Sequence, residues 1–322
     1  MELLERFGRV RLLLVGDLLA DHYLYGQTER VSREAPVLIV RHERDTVQLG
    51  GGANAAANAR ALGAKVTALG VVGRDAMGRE LARLCRAQGI ALKAVSAPGL
   101  ATETRTRVLA GGVSTTRQQM LRIDRGATGP LPAAVRRGLA KAIEAEARRA
   151  DVVMVSDYAA GVLGDETRAA LRRVHARGTP VCVDSRFALA AMSGFSLCKP
   201  NEPELSALTG LPVRTDAEVA AAGKAALRKL KCEALLVTRG RRGMMLLQPG
   251  AKPELIPVHG ADAAVDVTGA GDTVGATFAV ALGAGASFLE AARLANVAGA
   301  LVVQKPGTAT VSRGELAREL AR

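Results

Sequence analysis

A chain of 322 residues, 48% of them hydrophobic, can bury a substantial core, which excludes a disordered chain and a small disulfide scaffold. Aromatics make up 2% and Trp is absent, so the core is built from Ala, Val and Leu, and aromatic base-stacking surfaces are lacking. The net charge of +13 raises nucleic-acid binding, but only 9 of the 44 basic residues are Lys, and the arginines are interleaved with acids, as in "AVRRGLAKAIEAEARRA". A solvated, Arg-biased surface accounts for that charge, and nucleic acid is not expected as a partner.

The first segment, "MELLERFGRVRLLLVGD", has early acids and a four-residue apolar run, unlike a signal peptide. No stretch is long and apolar enough for a membrane partner to be expected. Cys85, Cys182, Cys198 and Cys232 form no CxxC pair and sit in apolar or mixed contexts, which suits reduced thiols in a cytoplasmic protein.

"RVRLLLVGD" reads as a buried strand ending at Asp17. Residues 22–49 then look like short strands with polar turns. The segment 50–63, "GGGANAAANARALG", carries three glycines into a helix of small residues. Gly50, Gly51 and Gly52 would allow close approach of a polyol, and Asn54 could hydrogen-bond hydroxyls. Tight helix–sheet packing by small residues is the alternative. "KVTALGVVG" is a second buried strand, followed by a helix over 77–88.

Residues 102–124 again read as short strands. Together with 22–49 they predict a few antiparallel strands beside the main sheet, either a lid or an ordinary edge hairpin. A helix over 132–148 leads to strand "ADVVMVSD", a helix over 165–177, strand "TPVCVD", a helix over 216–231 and strand "CEALLVTRG". This alternation predicts one domain, a doubly wound, mostly parallel α/β sheet flanked by helices, with a small β lid. Asp17, Asp157, Asp184 and Thr238 close strands, and ligands of such folds collect at those carboxyl ends.

Near the end stands "VDVTGAGDTVGATFAVALGAG". Gly269 and Gly271 permit a tight turn, and helical spacing runs from Thr273 to Leu282. The turn amides therefore sit at a helix N-terminus, where positive partial charge collects. Asp272 is either a helix cap or a catalytic base beside an anion-stabilising turn. Other signatures are missing. There is no GxxxxGK[ST], since Gly223-Lys224 is followed by Ala. The late glycines are spaced GxGxxxG, which is not a dinucleotide fingerprint. His22, His42, His175 and His259 lack ligand spacing.

Taken together, "LGGGANAAANARALGAKVTALGVVGRDAMG" and "DVTGAGDT" resemble the two signatures of the PfkB/ribokinase family of carbohydrate kinases. "KPNEPEL" resembles that family's Asn-x-x-Glu segment and "VTRGRRGM" its nucleotide-binding strand and turn. Within the family, "VGDLLADHYLYGQTERVSREAPVLIV", "TRTRVLAGGVSTTRQQMLRID", "VSDYAAGVL" and "LLVTRGRRGMMLLQPG" resemble the D-glycero-β-D-manno-heptose 7-phosphate kinases of lipopolysaccharide heptose synthesis. Many of these carry a fused nucleotidyltransferase with an HxGH motif. No HxGH stands in these 322 residues, so only a kinase step is expected. The family's Asp-Pro-Lys is "DSR" here, with Arg186 in place of Lys as a phosphate-binding cation.

The resemblance implies ATP-dependent phosphorylation of the sugar at C1, with Asp272 as general base at an ordinary carboxylate pKa of about 4. The amides of Gly269, Ala270 and Gly271 would hold the transferring phosphoryl group. Asn201 and Glu204 would organise Mg²⁺ through water, and Asp266 and Thr268, with carbonyls near Val302 and Gly307, would hold a monovalent cation such as K⁺. Adenine would lie near Thr238, Gly240, Gly243 and Asn296. The sugar would meet Asp17, Asp21, Gly50, Gly51, Gly52, Asn54 and Asp184, and its phosphate Arg105, Arg107, Arg122 or Arg186. A homodimer through the lid strands is expected. The rivals are another sugar or nucleoside kinase of the family, and a non-catalytic nucleic-acid-binding regulator.

Overall fold

The computed structural model describes residues 2–112, 116–127, 129–260 and 264–322. Residues 113–115, within the expected lid, lie outside the described residues. In chain order the elements are α1 (Glu2–Arg6), β1 (Arg11–Gly16), β2 (Leu18–Val31), β3 (Leu38–Gly51), α2 (Gly52–Ala61), β4 (Lys65–Val71), α3 (Ala76–Ala87) and β5 (Ala91–Val95). Then follow β6 (Thr104–Gly111), β7 (Gln118–Arg125), α4 (Ala133–Ala147), β8 (Val152–Asp157), α5 (Asp165–Ala176), β9 (Val181–Ser185), β10 (Leu197–Cys198), α6 (Glu202–Thr209) and α7 (Asp216–Leu230). The last are β11 (Ala234–Thr238), β12 (Met244–Leu247), β13 (Glu254–Ile256), α8 (Ala270–Gly283), α9 (Phe288–Val302) and α10 (Arg313–Leu320).

The larger sheet runs β13-β12-β11-β10-β9-β8-β1-β4-β5. It is parallel from β5 to β11, and β12 and β13 add an antiparallel edge. Its central strands are apolar without alternation, as expected where helices cover both faces: β8 is buried along its whole length and β1 everywhere but Arg11. One apolar cluster lies with α2, α8 and α9, the other with α4, α5 and α7.

The smaller sheet has the order β3-β2-β6-β7 and stands beside the carboxyl ends of the main strands. Its hairpins β2–β3 and β6–β7 are antiparallel as expected, but the pair joining them, β2–β6, is parallel. The wholly antiparallel expectation is corrected there. Each hairpin is local in sequence, whereas the β2–β6 pairing joins segments separated by three other strands and two helices.

Two helices are buried nearly all round. In α2, residues Gly52 to Ala59 are buried, and in α8 those from Asp272 to Ala281. Helices apolar on every side belong inside a fold. Their glycines and alanines let α2 and α8 pack face to face, which brings the two glycine-rich segments, some 200 residues apart, into contact.

Candidate active site

Helix α8 begins at Ala270, earlier than the expected Thr273, because Gly269 takes the cap position in the left-handed region with φ of 75°. No side chain caps this helix, so Asp272 is not its cap. The Asp272 carboxylate instead turns inward and is buried. Asn54 Nδ2 donates to Oδ2 at 2.8 Å, and the Tyr158 hydroxyl donates to Oδ1 at 2.9 Å. Asn54 is held in turn by Asn58, whose Nδ2 donates to the Asn54 backbone carbonyl at 3.0 Å. The Thr273 hydroxyl donates to Asn58 Oδ1 at 2.8 Å. Every group of this buried chain has a partner, which avoids a cost of about 1–3 kcal/mol per orphaned group.

Burial pushes Asp272 up to about 7, and the nearby Asp184 charge acts in the same sense. The hydrogen bonds from Asn54 and Tyr158 and the Lys199 charge hold it down. The expected ordinary value near 4 is therefore corrected. Sequence showed the acid, but not that two helices and a loop would enclose it.

A cavity of about 280 Å³ opens in front of this carboxylate, lined by Asp157, Tyr158, Asp184, Arg186, Lys199, Asn201, Glu204, Thr238, Val267, Gly269, Gly271 and Asp272. Strand ends β8, β9, β10 and β11 thus converge on the turn before α8. Of the expected strand-end residues, Asp157, Asp184 and Thr238 reach this cavity. Asp17 does not. Its carboxylate accepts from the backbone N–H groups of Tyr158, Ala160 and Val162 at 2.7, 3.0 and 3.3 Å, and burial raises its pKa to about 6.

Among the described residues, Gly269 N–H and Gly271 N–H make no hydrogen bond, whereas Ala270 N–H reaches Val267 O at 3.2 Å. Two of the three expected anion-holding amides are therefore free. Lys199 Nζ lies 2.9 Å from Asp184 Oδ2. Burial disfavours its charge, but Asp184 outweighs burial and raises the Lys199 pKa. Neither Lys199 nor Tyr158 was singled out from sequence. Lys199 does stand between the apolar "SLC" and "PNEPEL", where a buried strand meets a cap signal.

Asn201 and Glu204 line the cavity and also form the capping box of α6. Asn201 Oδ1 accepts from Glu204 N–H at 2.8 Å, and Glu204 Oε2 accepts from Asn201 N–H at 2.9 Å. Burial raises the Glu204 pKa. Hard oxygen donors on a cavity wall suit Mg²⁺. No three His, Cys, Asp or Glu side chains among the described residues gather to hold a metal.

Thr238 N–H donates to Pro200 O, and the 240–243 turn follows, its Gly243 backed by the Ile256 carbonyl. Asn296 lies on α9 outside the cavity, with Nδ2 donating to Pro257 O at 2.8 Å. The loop expected to hold a cation is drawn together: Asp266 accepts from Thr268 N–H at 2.9 Å and from Gly307 N–H at 2.8 Å. Val302 stays in α9 with its carbonyl accepting from Lys305 N–H. The Val303 carbonyl receives Val265 and Asp266.

On the lid side, Gly50 meets Asp21. A Cβ on Gly50 would lie 2.4 Å from Asp21 Oδ2 and would push that carboxylate away from its place beside Arg107. Gly51 closes β3 and Gly52 opens α2, its N–H donating to Asp17 O. The four candidate arginines divide. Arg107 is paired with Asp21 at 2.6 Å and Arg122 with Asp124 at 2.5 Å. Arg105 and Arg186 have no carboxylate partner among the described residues. Their guanidinium groups lie 5.0 and 5.7 Å from the Tyr158 ring centre.

A profile described as pfkB family carbohydrate kinase matches residues 11–313. The Bifunctional protein HldE of Caulobacter vibrioides is 40% identical over 314 residues, which cover 96% of this chain and 63% of that protein's length. The Arabidopsis thaliana ribokinase complexed with ribose and ATP superposes with a TM-score of 0.75 at 26% identity, over 97% of this chain and 99% of that one. The Escherichia coli phosphofructokinase-2 in complex with potassium has the same fold, with a TM-score of 0.76 at 19% identity over 97% and 98% of the two chains. Matched from the first strand through the lid and the Gly-Ala-Gly-Asp turn almost to the last helix, this chain belongs to the pfkB family of carbohydrate kinases.

Proposed function

We propose that the chain transfers the γ-phosphoryl group of ATP to the C1 hydroxyl of D-glycero-D-manno-heptose 7-phosphate, giving the 1,7-bisphosphate for ADP-heptose and lipopolysaccharide core synthesis. The observation that carries a phosphorylated substrate is the pair Arg105 and Arg186. They come from the lid and the main sheet, lack carboxylate partners, and stand over the tyrosine that touches Asp272. Unpaired guanidinium forks suit a dianionic phosphate. The N-terminal and lid segments that resemble heptose 7-phosphate kinases supply the choice of sugar.

In this reading Asp272 accepts the proton of the attacking hydroxyl, and the free amides of Gly269 and Gly271 face the γ-phosphoryl group. A base titrating near 7 is well matched to neutral pH. Lys199 adds positive charge to the same cavity. Asn201 and Glu204 would hold Mg²⁺ through water; when bound with ATP, that ion neutralises phosphate charge. Asp266, Thr268 and Gly307 would frame a K⁺ site behind the turn. Adenine would lie by Thr238, Gly240, Gly243 and Asn296, and the sugar between Asp184 and the Asp21–Gly50 edge. The lid exposes Val31, Leu38, Met120, Leu121 and Ile123, which suits pairing of two lids in a cytoplasmic homodimer.

The test is kcat/KM for heptose 7-phosphate, free heptose, ribose and fructose 6-phosphate on one preparation. Heptose 7-phosphate is expected to lead, with free heptose worse by about tenfold to a hundredfold per lost charge-assisted bond of about 1.5–3 kcal/mol. Arg105→Ala and Arg186→Ala should erase that preference, and Arg122→Ala should leave it. A lead for ribose or fructose 6-phosphate would overturn the heptose reading.

A further inference from the structure

We infer that Tyr158 is a positioning residue for Asp272, fixing the aim of its carboxylate and keeping it ready to accept a proton. This rests on reading Asp272 as the base. The geometry starts in the backbone. Tyr158 follows β8 in a loop that Asp17 pins through three N–H groups, those of Tyr158, Ala160 and Val162. Ala159, between them, sits in the left-handed region at φ of 64°, which costs a residue with a Cβ and persists only where its surroundings impose it. Asp157 imposes it, accepting the Ala159 N–H at 3.1 Å while Ser185 donates to the other carboxylate oxygen at 2.6 Å. Two buried acids and a strained residue are spent on the aim of one phenol.

That phenol meets Asp272 Oδ1, and Asn54 meets Oδ2. Each carboxylate oxygen thus receives one donor from the protein, which locks its rotation and leaves lone pairs for a substrate hydroxyl. Burial and the Asp272 charge lift the Tyr158 pKa far above its usual value, so the phenol stays protonated and acts only as a donor. Its ring is the surface over which Arg105 of the lid and Arg186 lie. The same side chain therefore joins the base to the two unpaired arginines.

The experiment compares wild type, Tyr158→Phe and Asp272→Asn as intact chains, recording kcat and KM against pH with the best sugar phosphate of the panel. The groups facing Asp272 are Asn54 and Tyr158 by hydrogen bond and Asp184 and Lys199 by charge, with Asp157, Arg186 and Glu204 on the same cavity wall. Only the phenol bond changes in Tyr158→Phe, since the ring under the arginines remains. Removing a donor to the ionised form raises the carboxylate pKa. The acid limb of kcat should then move to higher pH by about one unit, and kcat at neutral pH should fall about tenfold. KM values should stay near wild type, while Tm falls by the cost of a buried carboxylate oxygen left without its donor. A merely structural role would lower Tm and leave the limb in place. An unmoved acid limb in Tyr158→Phe, with Asp272→Asn inactive, overturns the role of Tyr158 alone. Near-normal turnover in Asp272→Asn overturns the base reading itself.

Discussion

Asp272 is held in conditions that oppose its own charge. Burial favours its neutral form, and only the donors Asn54 and Tyr158 and the Lys199 charge keep ionisation within reach of neutral pH. Asp272→Asn should lower turnover by about 10² to 10⁴, the worth of a general base. A second consequence concerns stability. The folded pKa of about 7 exceeds the ordinary 3.8, so between those values the folded state keeps a proton that the unfolded chain has released. The Asp272 contribution to stability therefore falls as pH rises through this window. Asparagine has no such slope, so the Tm of the variant minus that of wild type should increase from pH 4.5 to about pH 7 and level off above it. A difference flat in pH, measured by thermal melts in matched buffers, would contradict a buried, raised carboxylate.

Between elements, the decisive contact is that of α2 with α8. A Cβ at Gly269 would stand 2.7 Å from Asn54 Nδ2, at a backbone φ of 75°. Gly269→Ala should therefore cost about 1–2 kcal/mol of stability from the strained φ and displace Asn54 from Asp272, with kcat down about tenfold. Gly285→Ala, at φ of 89° beyond the far end of α8, has open space around its Cβ except for Arg6 Nη1 at 3.7 Å. It should cost similar stability and leave kcat unchanged. Equal kcat in the two variants would show that Gly269 serves the backbone alone. Much of this level could be read from sequence. The helices expected over 77–88, 132–148, 165–177 and 216–231 end within about one residue of those found, because apolar spacing and turn residues are local signals. The β2–β6 pairing is not local, and neither is the aim of Tyr158, which depends on backbone bonds from Asp17 at the end of another strand. Asp17 was legible as a strand-end acid, but its partners were not.

At the scale of the whole molecule, the proposed reading takes the phosphate-handling residues from the main sheet and Arg105 from the lid, so that the proposed site would be complete only where the two sheets meet. In the proposed reading the Gly-Ala-Gly-Asp turn and its cavity would serve phosphoryl transfer, and Arg105 and Arg186 would decide which sugar is taken. Both meet in the identity of the product. The direct measurement is ³¹P NMR of the protein with ATP, Mg²⁺, K⁺ and D-glycero-D-manno-heptose 7-phosphate. The expected result is a new phosphate resonance coupled to the anomeric proton, equal in amount to the ADP formed, with the 7-phosphate resonance retained and almost no product from Asp272→Asn in the same time. A phosphate ester on another carbon, or an untouched heptose 7-phosphate beside a consumed ribose or fructose 6-phosphate, would contradict it.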